Sequence, residues 1–169
     1  MKVLETARLS LRWLREADAP FILTLVNQPS WLRFIGDKNV HSLEDARAYI
    51  ANGPAAMYAR HGFGLYRVAL KADDTAIGLC GLIRRDTLPD VDIGFAFLPA
   101  HWGQGYAEES AAAVLAFARD TLGLQRIVAI TSLDNSASAR LLEKIGLRFE
   151  RNLQLDGSAE TLRLFATTH

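Results

Sequence analysis

One segment, Asp92–Glu109 (DIGFAFLPAHWGQGYAEE), constrains the fold of this chain more than any other. It reads as a short strand, a turn, a glycine-containing loop and the first turn of a long helix. Gly103 and Gly105 flank Gln104, and glycine lets a backbone approach a ligand closely. The loop leads into a helix N-terminus, whose free N–H groups and positive dipole end attract an anion. We therefore predict that this loop can cradle a pyrophosphate.

The residues after the loop extend this segment into a βαβ unit. A helix is predicted from about Tyr106 to Leu122, and Gly123 stands where a left-handed cap is expected. The run Gln125–Ser132 is apolar nearly throughout, which is typical of a strand covered on both faces. The loop then lies at the carboxyl end of the first strand of the unit, where open α/β sheets bind ligands.

The remainder of the chain predicts a mixed sheet with helices on both faces. Strands are expected at 8–14, 63–70, 76–84, 91–98, 125–132, 147–155 and 161–166. Helices are expected from a cap at Asp18 to Asn27, from Ser42 to Gly53, at 106–122 and at 136–144. The apolar but irregular segment 28–41 is equally consistent with a pocket wall and with a packed loop.

Length and charge narrow the class of protein. A chain of 169 residues is expected to form one domain over 1–169, with a core that needs no disulfide or metal. Nineteen basic and 19 acidic side chains cancel, so we predict neither a nucleic-acid nor a membrane partner. The single Cys80 is expected to be a buried, inert thiol. Without a signal-peptide core or a spanning run, the expected compartment is the cytoplasm.

Two long motifs resemble those of a known family. The segment Asp92–Ala107 and the later DNSASARLLEKIGLRF of Asp134–Phe149 are similar to the GNAT superfamily of acyl-CoA-dependent N-acetyltransferases. The opening ARLSLRWLREADA and the helix SLEDARAYI resemble its ribosomal-protein N-terminal acetyltransferase (RimJ/RimL-like) branch. The resemblance implies a mostly antiparallel, twisted sheet of about six to seven strands with a central splayed parallel pair. Trp102 stands where most of the superfamily has Gln or Arg.

The resemblance also implies a cofactor site for acetyl-CoA. The pyrophosphate would bind the amides of Gln104–Ala107, which includes Gly105 and Tyr106, in the loop that begins at Trp102 and Gly103. The pantetheine arm would lie along Phe97 and Leu98 like an added strand. Asn135 would hydrogen-bond the pantetheine, although it is also a good helix N-cap. Ser138 would lie near the sulfur or the phosphates. An ordinary serine early in a helix, with no role in binding, is an equally open alternative.

Acetyl transfer to an amine requires a base, a donor for the developing oxyanion and assistance for the departing thiolate. Asp92 occupies the strand position where some family members carry a catalytic glutamate, and its shorter side chain favours action through water; a merely solvated acid is equally consistent. Asp134 and Glu160 are weaker alternatives. A backbone N–H around Phe97 is the predicted donor. The tyrosine that many relatives use as an acid is missing, which leaves Ser138 as the nearest hydroxyl.

These residues predict an N-acetyltransferase that acts by direct attack in a ternary complex, as a monomer or homodimer. The acceptor would be a protein N-terminal amine or a small amine, recognised by 29–41 and by the turn 152–160. The alternative is a non-catalytic acyl-CoA-binding module. The histidines at 41, 61 and 101 lack partners at metal-ligand spacing, so no metal site is predicted.

Overall fold

The computed structural model describes residues 2–168, and eight strands in them form one mixed sheet. The strands are β1 (Lys2–Glu5), β2 (Leu9–Trp13), β3 (Leu65–Leu70), β4 (Ala76–Ile83), β5 (Val91–Phe97), β6 (Ile127–Ser132), β7 (Leu147–Leu153) and β8 (Leu162–Thr167). Their order across the sheet is β1-β2-β3-β4-β5-β6-β8-β7. Only the pair β5–β6 is parallel among the described strands.

Six α-helices within residues 2–168 cover this sheet. They are α1 (Ala19–Leu25), α2 (Pro29–Phe34), α3 (Leu43–Asn52), α4 (Pro54–His61), α5 (Tyr106–Asp120) and α6 (Ser136–Lys144). The fold class expected from the sequence, a mostly antiparallel sheet with one parallel pair and helices on both faces, is confirmed. The sheet has eight strands instead of six or seven because the N-terminal Lys2–Glu5 pairs with β2.

The two faces of the sheet bury different helices, and β5 shows which side chains face which. Ile93 and Phe97 belong to the cluster that contains the small side chains of α5 and the apolar face of α6. Ala96 packs with the cluster that contains Ile22 of α1 and Ile50 of α3. Since side chains alternate along a strand, the even-numbered Asp92 lies on the α1/α3 face.

One predicted helix cap is present in the structure, and another is absent. Ser42 caps α3 as predicted, with its hydroxyl accepting from the Asp45 N–H at 3.0 Å. Asp18, predicted to cap α1, makes no cap hydrogen bond to that helix. Its carboxylate instead accepts two hydrogen bonds from Arg12 at 2.8 and 2.9 Å and one from the Arg15 N–H. A nearby guanidinium binds this carboxylate more strongly than a neutral N–H does.

The segment 28–41 and the residues after Gly53 contain helices that periodicity did not reveal. Helices α2 and α4 are six and eight residues long, and each begins at a proline. Proline suits the first helical position because it has no N–H to leave unpaired there. No helix within residues 2–168 has the length and apolarity required to cross a membrane. Cys80 is fully buried, and burial raises the pKa of its thiol to about 12, as expected for an inert cysteine.

Candidate functional site

A groove of about 1000 Å³ opens where β5 and β6 separate. These strands pair only at Val91↔Ile127 and Asp92↔Val128. Beyond those two positions their edges face each other across open space. The groove is lined by the glycine loop, the start of α6, the facing parts of β5 and β6, helix α2 with the loop after it, and one side of α3.

The backbone of β5 presents hydrogen-bonding groups to this groove. Leu98 N–H donates to the Ile77 carbonyl of β4 at 2.9 Å. Residues of an antiparallel pair alternate between facing their partner strand and facing away from it. The N–H groups of Phe95 and Phe97 are therefore directed away from β4 and toward the groove. This is the edge along which an extended ligand can be added to a sheet.

Trp102 closes the end of that edge. Its indole N–H donates to the Phe97 carbonyl at 2.8 Å, while about half of the side chain remains exposed. Leu98 lies outside the groove lining, and its carbonyl already accepts from the His101 N–H at 2.9 Å. Of the two residues predicted to lie along the pantetheine, only Phe97 therefore lines the groove, and its N–H is the group left to bond a ligand.

The glycine loop has the conformation that its residues suggest. Gly103 and Gly105 have φ values of +76° and +83°, a left-handed region that side chains rarely adopt. A Cβ built on Gly103 would meet no atom within 4 Å, so its backbone is open to a ligand. Gly105 is the N-cap of α5, and no side chain caps that helix. The loop is thus a backbone cradle at a free helix N-terminus.

The first turn of α6 borders the same groove. The Asn135 side-chain oxygen accepts from the Ser138 N–H at 3.2 Å, so Asn135 is an N-cap. Its amide nitrogen and the Ser138 hydroxyl have no hydrogen-bond partner within residues 2–168, and both residues line the groove. The cap uses the oxygen alone, which leaves one donor on Asn135 and one hydroxyl on Ser138 for a ligand.

Asp92 lies at the floor of the groove with 1% of its surface exposed. Its Oδ2 accepts from Arg85 Nε at 2.8 Å, and its Oδ1 is buried with no hydrogen-bond partner among the described residues. Burial raises the pKa of this carboxyl to about 6, against the opposing effect of Arg85. A buried carboxylate oxygen without a donor is costly unless a ligand or water supplies one.

The two alternative acids are placed less favourably. Asp134 forms an exposed ion pair with Arg33 at 3.1 Å, and this bond lowers the pKa of its carboxyl. Glu160 is exposed where the turn 152–160 reaches the groove. With its pKa lowered, the Asp134 carboxylate is a weaker base at neutral pH than Asp92.

One wall of the groove comes from the segment whose role the sequence left open. Trp31 and Phe34 of α2 line it together with Lys38 and with Tyr49 of α3. The reading of 28–41 as a pocket wall is therefore supported. The Trp31 indole N–H is buried without a partner in residues 2–168, and burial raises the pKa of the Tyr49 hydroxyl. This wall lines the same groove as Asp92 and carries an unpaired N–H donor on Trp31 and a cation on Lys38.

Sequence reasoning missed two arginines that hold the site together. Arg85 could have been found, because the hairpin register Ile83↔Asp92 brings the residues just after β4 beside the start of β5. Arg8 had no local signal: its guanidinium donates to the Gln104 carbonyl at 3.0 Å across 96 residues of chain. Such a contact exists only after the sheet and α5 have packed.

Comparison with known proteins gives consistent matches over most of the chain. A family model described as an acetyltransferase (GNAT) domain matches residues 8–148. A Bacillus subtilis (strain 168) protein named uncharacterized N-acetyltransferase YoaA is 33% identical over 150 residues, 88% of this chain and 84% of that protein. An acetyltransferase structure from Agrobacterium tumefaciens str. C58 superposes with a TM-score of 0.84 at 27% identity, covering 100% and 95% of the two chains.

A ribosomal-protein α-N-acetyltransferase, RimL, solved in complex with coenzyme A, is similar in fold. It superposes with a TM-score of 0.82 at 19% identity, over 98% of this chain and 97% of that one. At this identity the match reports the fold alone.

Proposed function

The chain belongs to the GNAT acetyltransferase family, and on that premise we propose that it transfers an acetyl group from acetyl-CoA to a primary amine in a ternary complex. The observation that carries this proposal is the separation of β5 from β6 after Asp92. The groove that this separation forms has the glycine loop, which no side chain caps, at one end, and on its floor the buried Asp92 carboxylate, which has one oxygen without a hydrogen-bond partner among the described residues. The acetyl donor and the amine acceptor can therefore meet inside one cavity.

The residues of the groove suit acetyl-CoA. The backbone of Gly103 to Ala107 would hold the pyrophosphate, and Trp102 would keep that loop against the end of β5 through the Phe97 carbonyl. The amide nitrogen of Asn135 would donate to the pantetheine arm. Bound acetyl-CoA supplies the acetyl group as a thioester. Leu98 lies outside the groove lining and would not contact the pantetheine arm.

On the protein side, a β5 backbone N–H would donate to the acetyl carbonyl oxygen, where negative charge grows during transfer. Phe95 and Phe97 both direct an N–H into the groove. At about 3.3 Å of rise per residue, these lie roughly 10 and 17 Å along the strand from Asp92. Asp92 therefore receives the amine proton through bridging water. The Ser138 hydroxyl would donate to the departing thiolate.

Charge on the groove lining near Asp92 indicates which amines fit. Lys38 and Arg85 belong to this lining, and Asp92 is its one buried acid among the described residues, while Glu108, Asp134 and Glu160 line the groove as exposed acids. Arg33 is already paired with Asp134. Asp92 is already bound to Arg85, so a second ammonium group of a polyamine or an aminoglycoside would meet Lys38 and Arg85 without a free buried carboxylate, and like charges repel in a site of low dielectric. We propose a peptide N-terminal amine or an amino acid as the acceptor, in keeping with the RimJ/RimL-like branch.

The test is thiol release from acetyl-CoA with a panel of peptides, amino acids, polyamines and aminoglycosides. Turnover with peptides or amino acids is the expected result, and turnover with any acceptor excludes the alternative of a non-catalytic acyl-CoA-binding module. Coenzyme A binding without turnover across the whole panel would favour that module. Preferential turnover of polyamines would overturn the acceptor class and leave the transferase in place.

A further inference from the structure

Arg8 lies behind the glycine loop, on the side away from the groove. It comes from the residues just before β2, and its guanidinium contacts three groups of the loop and of α5. It donates to the Gln104 carbonyl at 3.0 Å, bonds Glu109 at 2.7 Å and stacks on the Tyr106 ring at 4.4 Å. Arg8 is not among the residues that line the groove.

Glu109 fixes the position of this guanidinium. Besides the side chain of Arg8, its carboxylate accepts from the Arg8 backbone N–H at 3.0 Å and from the Thr6 hydroxyl. Glu109 in turn belongs to the first turn of α5, where its N–H donates to the Gly105 carbonyl at 3.0 Å. The guanidinium is therefore tied to the same turn of helix whose preceding loop it contacts, which sets its direction toward Gln104.

The bond to Gln104 determines the direction of the next amide. In a trans peptide group the C=O and the following N–H point in opposite directions. Because Arg8 holds the Gln104 carbonyl on the outer side, the Gly105 N–H points inward, and Gly105 lines the groove. That N–H has no hydrogen-bond partner within residues 2–168. Without the guanidinium, a loop with two left-handed glycines could rotate this peptide freely.

We propose that Arg8 is a positioning residue that aims the Gly105 amide at the diphosphate of the cofactor. This role rests on the proposed function, since it requires coenzyme A to bind the loop. It brings to the loop an arginine from a distant part of the chain, just before β2, whereas the first position of the loop itself holds Trp102. Arg8 acts through the backbone and does not touch the ligand.

The experiment measures the affinity of Arg8→Met, Arg8→Lys and the unaltered protein for coenzyme A, for dephospho-coenzyme A, which lacks the ribose phosphate, and for pantetheine, which lacks all phosphates. Loss of one charge-assisted hydrogen bond should raise the Kd of Arg8→Met about tenfold for both nucleotides. Arg8→Lys keeps a donor for Gln104 and should recover part of the loss. Pantetheine affinity, and kcat at saturating acetyl-CoA, should not change.

A matched control is Arg119→Met, which removes an exposed arginine from the far end of the same helix. It should bind coenzyme A like the unaltered protein. Equal affinity of Arg8→Met and unaltered protein for coenzyme A would overturn the role of Arg8 and leave the proposed function intact. A defect confined to coenzyme A and absent for dephospho-coenzyme A would also overturn it, since Arg8 would then bind the ribose phosphate. Failure of the unaltered protein to bind coenzyme A would overturn both.

If Arg8→Met does not fold, as judged by its thermal unfolding, Arg8→Lys carries the same comparison. If the Arg8 variant loses as much affinity for pantetheine as for coenzyme A, the substitution has destabilised the groove in general, and this result would count against the proposal.

Discussion

Arg85 Nε and Asp92 Oδ2 lie 2.8 Å apart, and this ion pair satisfies only one of the two carboxylate oxygens. The guanidinium partly offsets the cost of burying the charge, while Oδ1 stays available at the floor of the groove. A pKa raised to about 6 by burial leaves this carboxylate ionised at neutral pH and still basic enough to accept a proton.

Asp92→Asn should lower kcat by about 100-fold or more, which is the range that general-base catalysis contributes. The substitution keeps the shape of the side chain and removes its ability to take a proton, so coenzyme A affinity and the circular dichroism spectrum should remain as in the unaltered protein. Steady-state kinetics with a saturating acceptor measure the effect. Retention of full activity would remove Asp92 from the mechanism.

The pH profile should report the same group. A base works in its deprotonated form, so kcat should rise with pH through about 6, the pKa of Asp92. Arg85 favours the charged carboxylate, so Arg85→Gln should raise that pKa and move this limb of the profile to higher pH. Asp92→Asn should lose the limb altogether. A limb that stays in place in Arg85→Gln would contradict the assignment.

Gly105→Val should weaken coenzyme A binding severely. At a φ of +83° a β-branched side chain is strained, and its Cβ would lie 3.3 Å from an Arg8 nitrogen, so the guanidinium behind the loop would have to shift as well. Gly123→Val is the matched control, because Gly123 has a φ of +70° with open space around it and lies at the other end of α5. Calorimetry should show lost affinity in the first variant only. Unchanged affinity in Gly105→Val would contradict the cradle.

Asn135 allows the structural and ligand-binding roles of one side chain to be separated. Asn135→Asp keeps the oxygen that caps α6 and loses the amide donor, whereas Asn135→Ala loses both. Both variants should weaken acetyl-CoA binding, but only Asn135→Ala should lower the free energy of unfolding, by about 1 kcal/mol. Thermal unfolding and the KM for acetyl-CoA measure the two effects. Normal KM values in Asn135→Asp would restrict Asn135 to capping.

Much of this fold could be predicted because its signals are local. Helix α6 has the predicted bounds, and Ser42 caps α3 as its spacing with Asp45 indicated. Two short proline-initiated helices and strand β1 escaped prediction, because segments of four to eight residues carry too little periodicity to distinguish a helix or a strand from a loop. The prediction that Asp18 caps α1 was wrong, because its carboxylate binds the Arg12 guanidinium of β2 instead.

Local sequence was enough to predict the glycine loop, the helix that follows it, the family resemblance and the acids that could serve as a base, because each depends on residues adjacent in the chain. Which of these acids is buried follows from packing, since Asp92 loses water only when β5 pairs with its neighbours in the sheet and the helices cover that face. The tertiary structure also decided that Arg85 neutralises one oxygen and that Arg8 reaches Gln104. Burial and long-range ion pairs arise from packing, and no short stretch of sequence encodes them.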